Sequence, residues 1–339
     1  MPKPVGVALW HLDTRAMPGA HEPTADDKLL ALRRRVTTAN DYFQQLRVED
    51  DAIKIFAAPE YYFAMGGQDI RGYSADEKET IKRGLRDLSA EYPQIILCAG
   101  TVAWKEPLDR SQRAKVAAHL SKAIDRTAGS AGTYRAEVSQ AHDRIKLGRS
   151  VLKKNTSTRW FGHNTAYIYH SGILVGEINK AIPFFEFSGE EDPVLMIPGF
   201  RSGKFNMPMV EGTEPGRKLV LGVEICADAG RLANTFGEKV DVHLLMSATT
   251  VPTSPAARHG GLYLHCDSAK PPLVKRAAGM GESAYSARFN PNPKSDPYNT
   301  TVEILPIDMD IENVRNDVDL YVSRVELEDR VAGAAMRPD

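Results

Sequence analysis

The stretch Leu219-Val220-Leu221-Gly222-Val223-Glu224-Ile225 is apolar almost without interruption and then stops at Cys226-Ala227-Asp228-Ala229-Gly230. A strand is written as a continuous apolar run when both faces of its sheet are covered, so this segment reads as a buried strand that delivers a side chain to the rim of a sheet. The stop sets small and polar residues at the carboxyl end of the strand. A cysteine there is a candidate nucleophile, because the turn exposes it and the amides beyond it can stabilise negative charge. The competing role is that of one more small buried hydrophobe, the commonest fate of a lone cysteine.

Runs of the same texture occupy residues 5–12, 52–58 and 94–102. Between the first two, residues 26–48 carry Leu29, Leu30, Leu32, Val36, Ala39, Tyr42, Phe43 and Leu46 at helical spacing behind Thr24 as an N-cap. Ser74-Ala75-Asp76-Glu77 has the form of a capping box and opens a helix that runs to about Tyr92. Strand, helix, strand, helix, strand is the order of an α/β sheet. Further along, residues 164–169 and 173–178 flank His170-Ser171-Gly172, a tight hairpin signal. A short helix over 230–236 and strands over 240–246, 262–267, 301–307 and 320–327 are expected to follow. No internal repeat and no long linker divides the 339 residues, so a single domain spanning 1–339 is expected.

Residues 105–159 interrupt this pattern. Between Asp109 and Lys154 eleven Lys or Arg face four Asp or Glu, and Ala-rich helical spacing over 114–124 breaks at Gly129-Ser130-Ala131-Gly132. The segment is read as a helical basic insertion, either a solvated excursion or subunit contact, or an arm that grips an anionic partner. Tyr134 is the one aromatic residue there, which argues against base stacking and a nucleic-acid role. Across the whole chain 43 Lys and Arg balance 44 Asp and Glu, so no global charge points to nucleic acid or membrane. No apolar run approaches the roughly 20 residues that span a bilayer. Met1-Pro2-Lys3-Pro4 leads straight into strand texture without a signal-peptide core, and Cys98, Cys226 and Cys266 are odd in number and widely spaced. A reducing, cytoplasmic setting without disulfides is therefore expected.

Glu60, Lys180 and Cys226 each close an apolar run, the position at which open α/β sheets present functional groups. The segments around them are Ala57-Ala58-Pro59-Glu60-Tyr61-Tyr62-Phe63, the hairpin from Asn164 to Lys180, and Gly222-Val223-Glu224-Ile225-Cys226-Ala227-Asp228. With Ala99-Gly100-Thr101 and Met196-Ile197-Pro198-Gly199 in the intervals, this set resembles the nitrilase superfamily of carbon–nitrogen hydrolases, in its amidase-like branch. The likeness covers roughly residues 5–246.

That resemblance implies a four-layer αββα sandwich and a homodimer or larger homo-oligomer. It implies hydrolysis of a linear amide or carbamoyl amine through a thioester on Cys226, with no metal and no cofactor. Glu60 would be the general base, Lys180 the oxyanion donor together with the Ala227 amide, and a second glutamate would orient Lys180. Glu191 is the residue chosen for that second position, with Glu190 and Glu186 left open by the loop lengths. Tyr61, Ala227, Ser247, Ala248 and Thr249 are the expected pocket liners. Ala227 stands where family members commonly carry Trp or Tyr, and the usual Arg-Ala-x-Glu-Asn signature is absent from residues 253–261. Nitrile hydrolysis and acyl transfer are the alternatives on the same site. A non-catalytic member whose insertion binds an anionic partner is the more distant one.

His259, His265, Cys266 and Asp267 invite a metal reading, but alternation along a strand points His265 and Cys266 to opposite faces. Structural roles are expected for them, and core positions for Cys98 and Cys266. Gly66-Gly67 and Gly279-Met280-Gly281 fit no phosphate-loop pattern.

Overall fold

The computed structural model describes residues 3–16, 22–49, 51–109, 112–118, 159–182, 186–199, 201–213, 216–234, 236–250, 256–276, 314–317 and 319–327. Within them β1 (Lys3–Trp10) leads to α1 (Ala25–Gln45), β2 (Ile53–Ala58), β3 (Tyr73–Ser74), α2 (Ala75–Glu91) and β4 (Ile95–Pro107). The next strands are β5 (Trp160–His170), β6 (Ile173–Asn179), β7 (Val194–Met196), β8 (Lys204–Glu211) and β9 (Lys218–Ile225). A 3-10 turn, Cys226–Asp228, joins β9 to the short α3 (Arg231–Asn234). The order closes with β10 (Val240–Ser247), β11 (Ala257–Asp267), β12 (Leu273–Arg276), β13 (Val314–Asp317) and β14 (Leu320–Leu327).

Both long helices start on reciprocal caps. The Thr24 hydroxyl accepts the Asp27 N–H while the Asp27 carboxylate takes the Thr24 N–H, and Ser74 and Glu77 repeat the exchange on α2. The buried stripe of α1 is Leu32, Val36, Ala39 and Phe43, and that of α2 is Ile81, Leu85 and Leu88. These stripes pack on one face of the larger sheet, against Phe56, Ala58, Leu97, Ala99, Tyr167 and Val322.

That sheet has nine strands in the order β13-β14-β1-β2-β4-β5-β6, with β3 paired to β4 and β7 to β5. Its centre, β1-β2-β4, is parallel, and its flanks are antiparallel. The second sheet runs β12-β11-β10-β9-β8, again parallel at its centre. Alternate residues of the two sheets, such as Val5, Ile55, Ile96 and Cys98 from one and Leu221, Val223, Val242 and Leu264 from the other, form a single buried cluster. The sheets therefore lie face to face, and the central strands are apolar on both sides, as their runs require. The architecture is α/β with two mixed sheets. Three layers of the expected four are present among the described residues, and the outer face of the second sheet carries only α3 there, through Leu232 against Val220 and Val240.

The first residues of the expected insertion belong to the larger sheet. β4 continues through residues 105–107, paired with Gly162, Phe161 and Trp160, because Trp160 and Phe161 supply a partner strand from the far side. Residues 112–118 are helical; 119–158, the expected strand over 301–307 and the Gly279-Met280-Gly281 motif lie outside the described residues. Among the described residues no helix is long and apolar enough to cross a membrane.

Candidate active site

β2 delivers Glu60 one residue past Pro59, fully buried. Its carbonyl accepts the Thr14 hydroxyl at 2.7 Å, and the next amide, of Tyr61, donates to Thr101 Oγ1 at 2.9 Å. The Ala99-Gly100-Thr101 texture now has a cause. Gly100 sits at φ +75°, and a Cβ on it would overlap the Pro59 carbonyl oxygen, so only glycine lets β4 pass beneath the Glu60 turn. The Glu60 carboxylate accepts from Asn164 Nδ2 and from Lys180 Nζ, both on Oε1 at 2.9 Å. Oε2 has no hydrogen-bond partner of ordinary length among the described residues.

Lys180 follows β6. Its N–H donates to the Asn164 carbonyl at 2.8 Å and its own carbonyl accepts the Gly199 amide at 2.9 Å. A Cβ at Gly199 would collide with the Asn179 carbonyl, so the Pro198-Gly199 step is what allows this close approach. The fully buried ammonium contacts Glu60, Glu186 and, at 3.4 Å, the Tyr61 hydroxyl, which itself donates to Glu186 Oε1 at 2.8 Å. Burial alone would push the ammonium pKa down, but the Glu186 and Glu60 carboxylates outweigh it and hold it well above the usual lysine range. Glu60 is raised, by burial first and by Glu186 after it, against the opposing pull of Lys180.

The second glutamate in contact with Lys180 is Glu186, one of the two left open beside Glu191, and Glu191 does not reach it. Phe187 takes φ +65°, and the Gly189 amide is tied to the Ile70 carbonyl at 3.1 Å. This turn carries Glu190 away to the Gly72 amide and Lys105, and leaves Glu191 exposed.

Cys226 closes β9 at φ +45°, buried. The turn behind it is braced from within the sheet. Glu224 accepts the amides of Gly230 and Leu232 and meets His243 Nε2 at 3.0 Å. His243 Nδ1 accepts the Ala256 amide, so Nε2 is the nitrogen that donates to Glu224. Asp228 fastens the turn to the lysine loop: its two oxygens accept the Ala181 and Ile182 amides, each at 2.8 Å. The Cys226 sulfur shares a 2.9 Å hydrogen bond with Thr250 Oγ1. Burial and the nearby Glu60 push the thiol up to about 12, with Lys180 opposing. Glu60 and Cys226 thus influence each other's proton, through charge and through a side-chain hydrogen-bond interaction between them. Of five non-glycine residues at positive φ among those described, Tyr61, Phe187 and Cys226 flank this one cluster. Strain concentrated in this way marks functional sites.

Asp228 gives the site a pH signature in stability. Burial lifts its carboxyl from 3.8 to about 6, with Arg231 and the two amides opposing. A raised folded-state value means the proton is held more tightly in the folded chain. The contribution is thus fully present below 3.8 and lost as pH rises through about 6, a swing of about 3 kcal/mol. Asp228→Asn cannot ionise and is expected to flatten the fall between about pH 3.8 and 6 in urea denaturation. Parallel losses in both proteins would refute this.

The expected pocket liners divide. Tyr61 and Ala248 are buried in one apolar cluster with Phe187, Ala227 is half-buried, and Thr249 is exposed. Ser247 stands apart from them: its hydroxyl is buried against His265 Nε2 at 2.7 Å and Asp267, on the far side of β10 from the inter-sheet core. One imidazole nitrogen meets both Ser247 and Asp267, so this trio lacks the two-sided relay of a Ser-His-Asp triad. Cys266 points the other way, its thiol donating to the Trp10 carbonyl at 3.3 Å, and Cys98 lies in the inter-sheet core. Sequence reasoning missed Thr250 and Asn164 as neighbours of the cluster, and saw Asp228 only as an acidic residue two past the cysteine.

No protein-family model matches the chain, and no curated protein matches it. Among solved structures it is similar to a glutamine-dependent NAD+ synthetase from Acinetobacter baumannii in complex with adenosine diphosphate. That match has 13% identity and a TM-score of 0.44, over 98% of this chain and 47% of that one. A glutamine-dependent NAD(+) synthetase from Cytophaga hutchinsonii matches at 11% identity and a TM-score of 0.36, over 81% and 38%. The chain spans less than half the length of either. At TM-scores this low the likenesses bear on neither activity nor substrate.

Proposed function

We propose that this chain hydrolyses a non-peptide C–N bond, in a linear amide or carbamoyl amine, through a thioester on Cys226, in the manner of the nitrilase superfamily. The observation that carries the reading is the meeting of Glu60, Lys180 and Cys226, from three strand ends, in one buried and strained cluster.

The thiol, pushed up to about 12, is protonated at neutral pH, so attack needs a base. Glu60 takes the proton. The sulfur attacks the acyl carbon, and the oxyanion is met by Lys180 and by the Ala227 amide. Glu60 returns the proton to the departing amine or ammonia, then activates the water that cleaves the thioester. Glu186 holds Lys180 charged throughout. A four-layer sandwich, a homo-oligomer and a cytoplasmic setting belong to the same proposal, as does the absence of metal and cofactor from the chemistry.

The test is an ammonia- and amine-release screen over amides, carbamoyl amines and nitriles, with Cys226→Ala as the blank and mass spectrometry for an acyl adduct. Release from an amide or carbamoyl amine, with the adduct on the Cys226 peptide, is expected. Turnover that survives Cys226→Ala overturns the proposal. So does an alkylation rate at Cys226 no higher than at the buried thiols of Cys98 and Cys266.

A further inference from the structure

β9 and β10 run parallel with Ile225 opposite Met246, so the segments that leave their carboxyl ends emerge side by side. Cys226 is the first residue after β9. After β10 the chain passes through Ala248 and Thr249 to Thr250, while the Ser268 amide fixes the Ser247 carbonyl at 3.0 Å. This places the half-buried Thr250 hydroxyl 2.9 Å from the Cys226 sulfur.

A hydroxyl and a thiol in contact admit two arrangements. In one, sulfur donates its proton to Thr250. In the other, Thr250 donates to sulfur and the S–H is left to point elsewhere. Glu60 decides between them. Its Oε2 is buried with no close hydrogen-bond partner among the described residues, and the carboxylate is coupled to the thiol both by charge and by a side-chain hydrogen-bond interaction. A buried carboxylate oxygen without a close donor is costly, and the Cys226 S–H is the proton donor at hand. Only the second arrangement supplies it.

We infer that Thr250 is a positioning residue for the nucleophile: its hydroxyl donates to the Cys226 sulfur, turns the thiol proton toward Glu60, and then holds the thiolate. This rests on the reading of Cys226 as nucleophile and extends it. When the S–H bond breaks, the proton forms an O–H bond on Glu60 and the electron pair stays on sulfur. The Thr250 hydrogen bond then becomes charge-assisted and roughly twice as strong. As the S–C bond forms, the carbonyl π pair moves to oxygen. When the C–N bond later breaks, the nitrogen takes the proton back from Glu60. Thr250 gives up nothing in the cycle. A thioester sulfur accepts hydrogen bonds poorly, so the contact favours the thiolate both as attacking group and as leaving group.

The experiment is alkylation by iodoacetamide from about pH 6 to 9, the range around the ordinary thiol pKa, with modification of the Cys226 peptide followed by mass spectrometry. Thr250→Val keeps the shape and removes the hydroxyl. It is expected to slow alkylation about tenfold at each pH and to displace the profile upward by about one pH unit, the size of one hydrogen bond to a charged group. Thr250→Ser restores the hydroxyl and is expected to stay within about twofold of the parent. Thr250→Ala serves in place of Thr250→Val if the valine variant does not fold, with the same expected shift. A valine or alanine profile that superimposes on the parent overturns the inference. A serine profile displaced as far as the valine one also overturns it, because the methyl group would then be what matters. Failure of the underlying reading looks different: the parent Cys226 itself would react no faster than Cys98 and Cys266.

Discussion

Lys180→Met is expected to lower stability by about 3–5 kcal/mol at pH 7, the usual result of removing one member of a buried charge cluster. The substitution keeps chain length and apolar bulk and takes away only the ammonium. Glu60 and Glu186, both fully buried around that ammonium, then face each other without a counter-charge. Such a pair cannot remain doubly ionised, so the folded variant takes up a proton. Its deficit should therefore shrink as pH falls from about 7 to about 5, opposite to the response of a protein that has merely lost packing. Urea denaturation at the two pH values measures this. Turnover should fall by about 10²- to 10³-fold as well, because the oxyanion loses a preorganised donor. A variant as stable as the parent at neutral pH would mean that the carboxylates do not depend on Lys180.

Glu60→Gln separates the base from its scaffold. The introduced amide can still accept from Asn164 and Lys180 through its oxygen, so the hydrogen bonds that fix the side chain survive. What disappears is the capacity to take a proton. A fall of about 10²- to 10⁴-fold in turnover is expected, the range for loss of a general base. The acidic limb of the pH–rate profile, which Glu60 sets at a value above the ordinary carboxylate range, should vanish with it. Stability at neutral pH should be unchanged or slightly raised, since burial disfavours the ionised parent carboxylate. Retention of the acidic limb would assign it to another group and remove Glu60 from its role.

The sequence showed some parts of this fold clearly and others not at all, for physical reasons. β1, β2, β4, β9 and β10 are covered on both faces, so each is written as an apolar run. α1 and α2 announce themselves by caps within three residues. β8 does not: it is an edge strand, carries Pro208, leaves Met209 exposed, and its pairing with β9 is broken between Asn206 and Glu211. No period of two survives that. β3 and β7, of two and three residues, are shorter than any pattern. In the candidate site, Glu60, Lys180 and Cys226 were legible because each ends a run. Glu186 was not, because Glu186, Glu190 and Glu191 share one loop and only the turn at Phe187 decides which of them comes back to Lys180. Asp228 illustrates a deeper limit. Its partners are the amides of Ala181 and Ile182, and a backbone amide has the same appearance in every sequence.

Glu60 and Lys180 hang from the nine-stranded sheet, whereas Cys226 and Thr250 hang from the five-stranded one. Under the proposed mechanism neither sheet could run the reaction alone, because the proposed reacting groups meet only across the seam between them. Reactivity is thus a gauge of docking. An error of about 1 Å in the seating of reacting groups can cost roughly a hundredfold in rate, far more than it costs in folding free energy. Buried apolar residues on either side of the seam, such as Ile55 and Val223, take no part in the proposed chemistry, yet they would set the distance over which its proton and sulfur move. The interior of this protein is a spacer as much as a core.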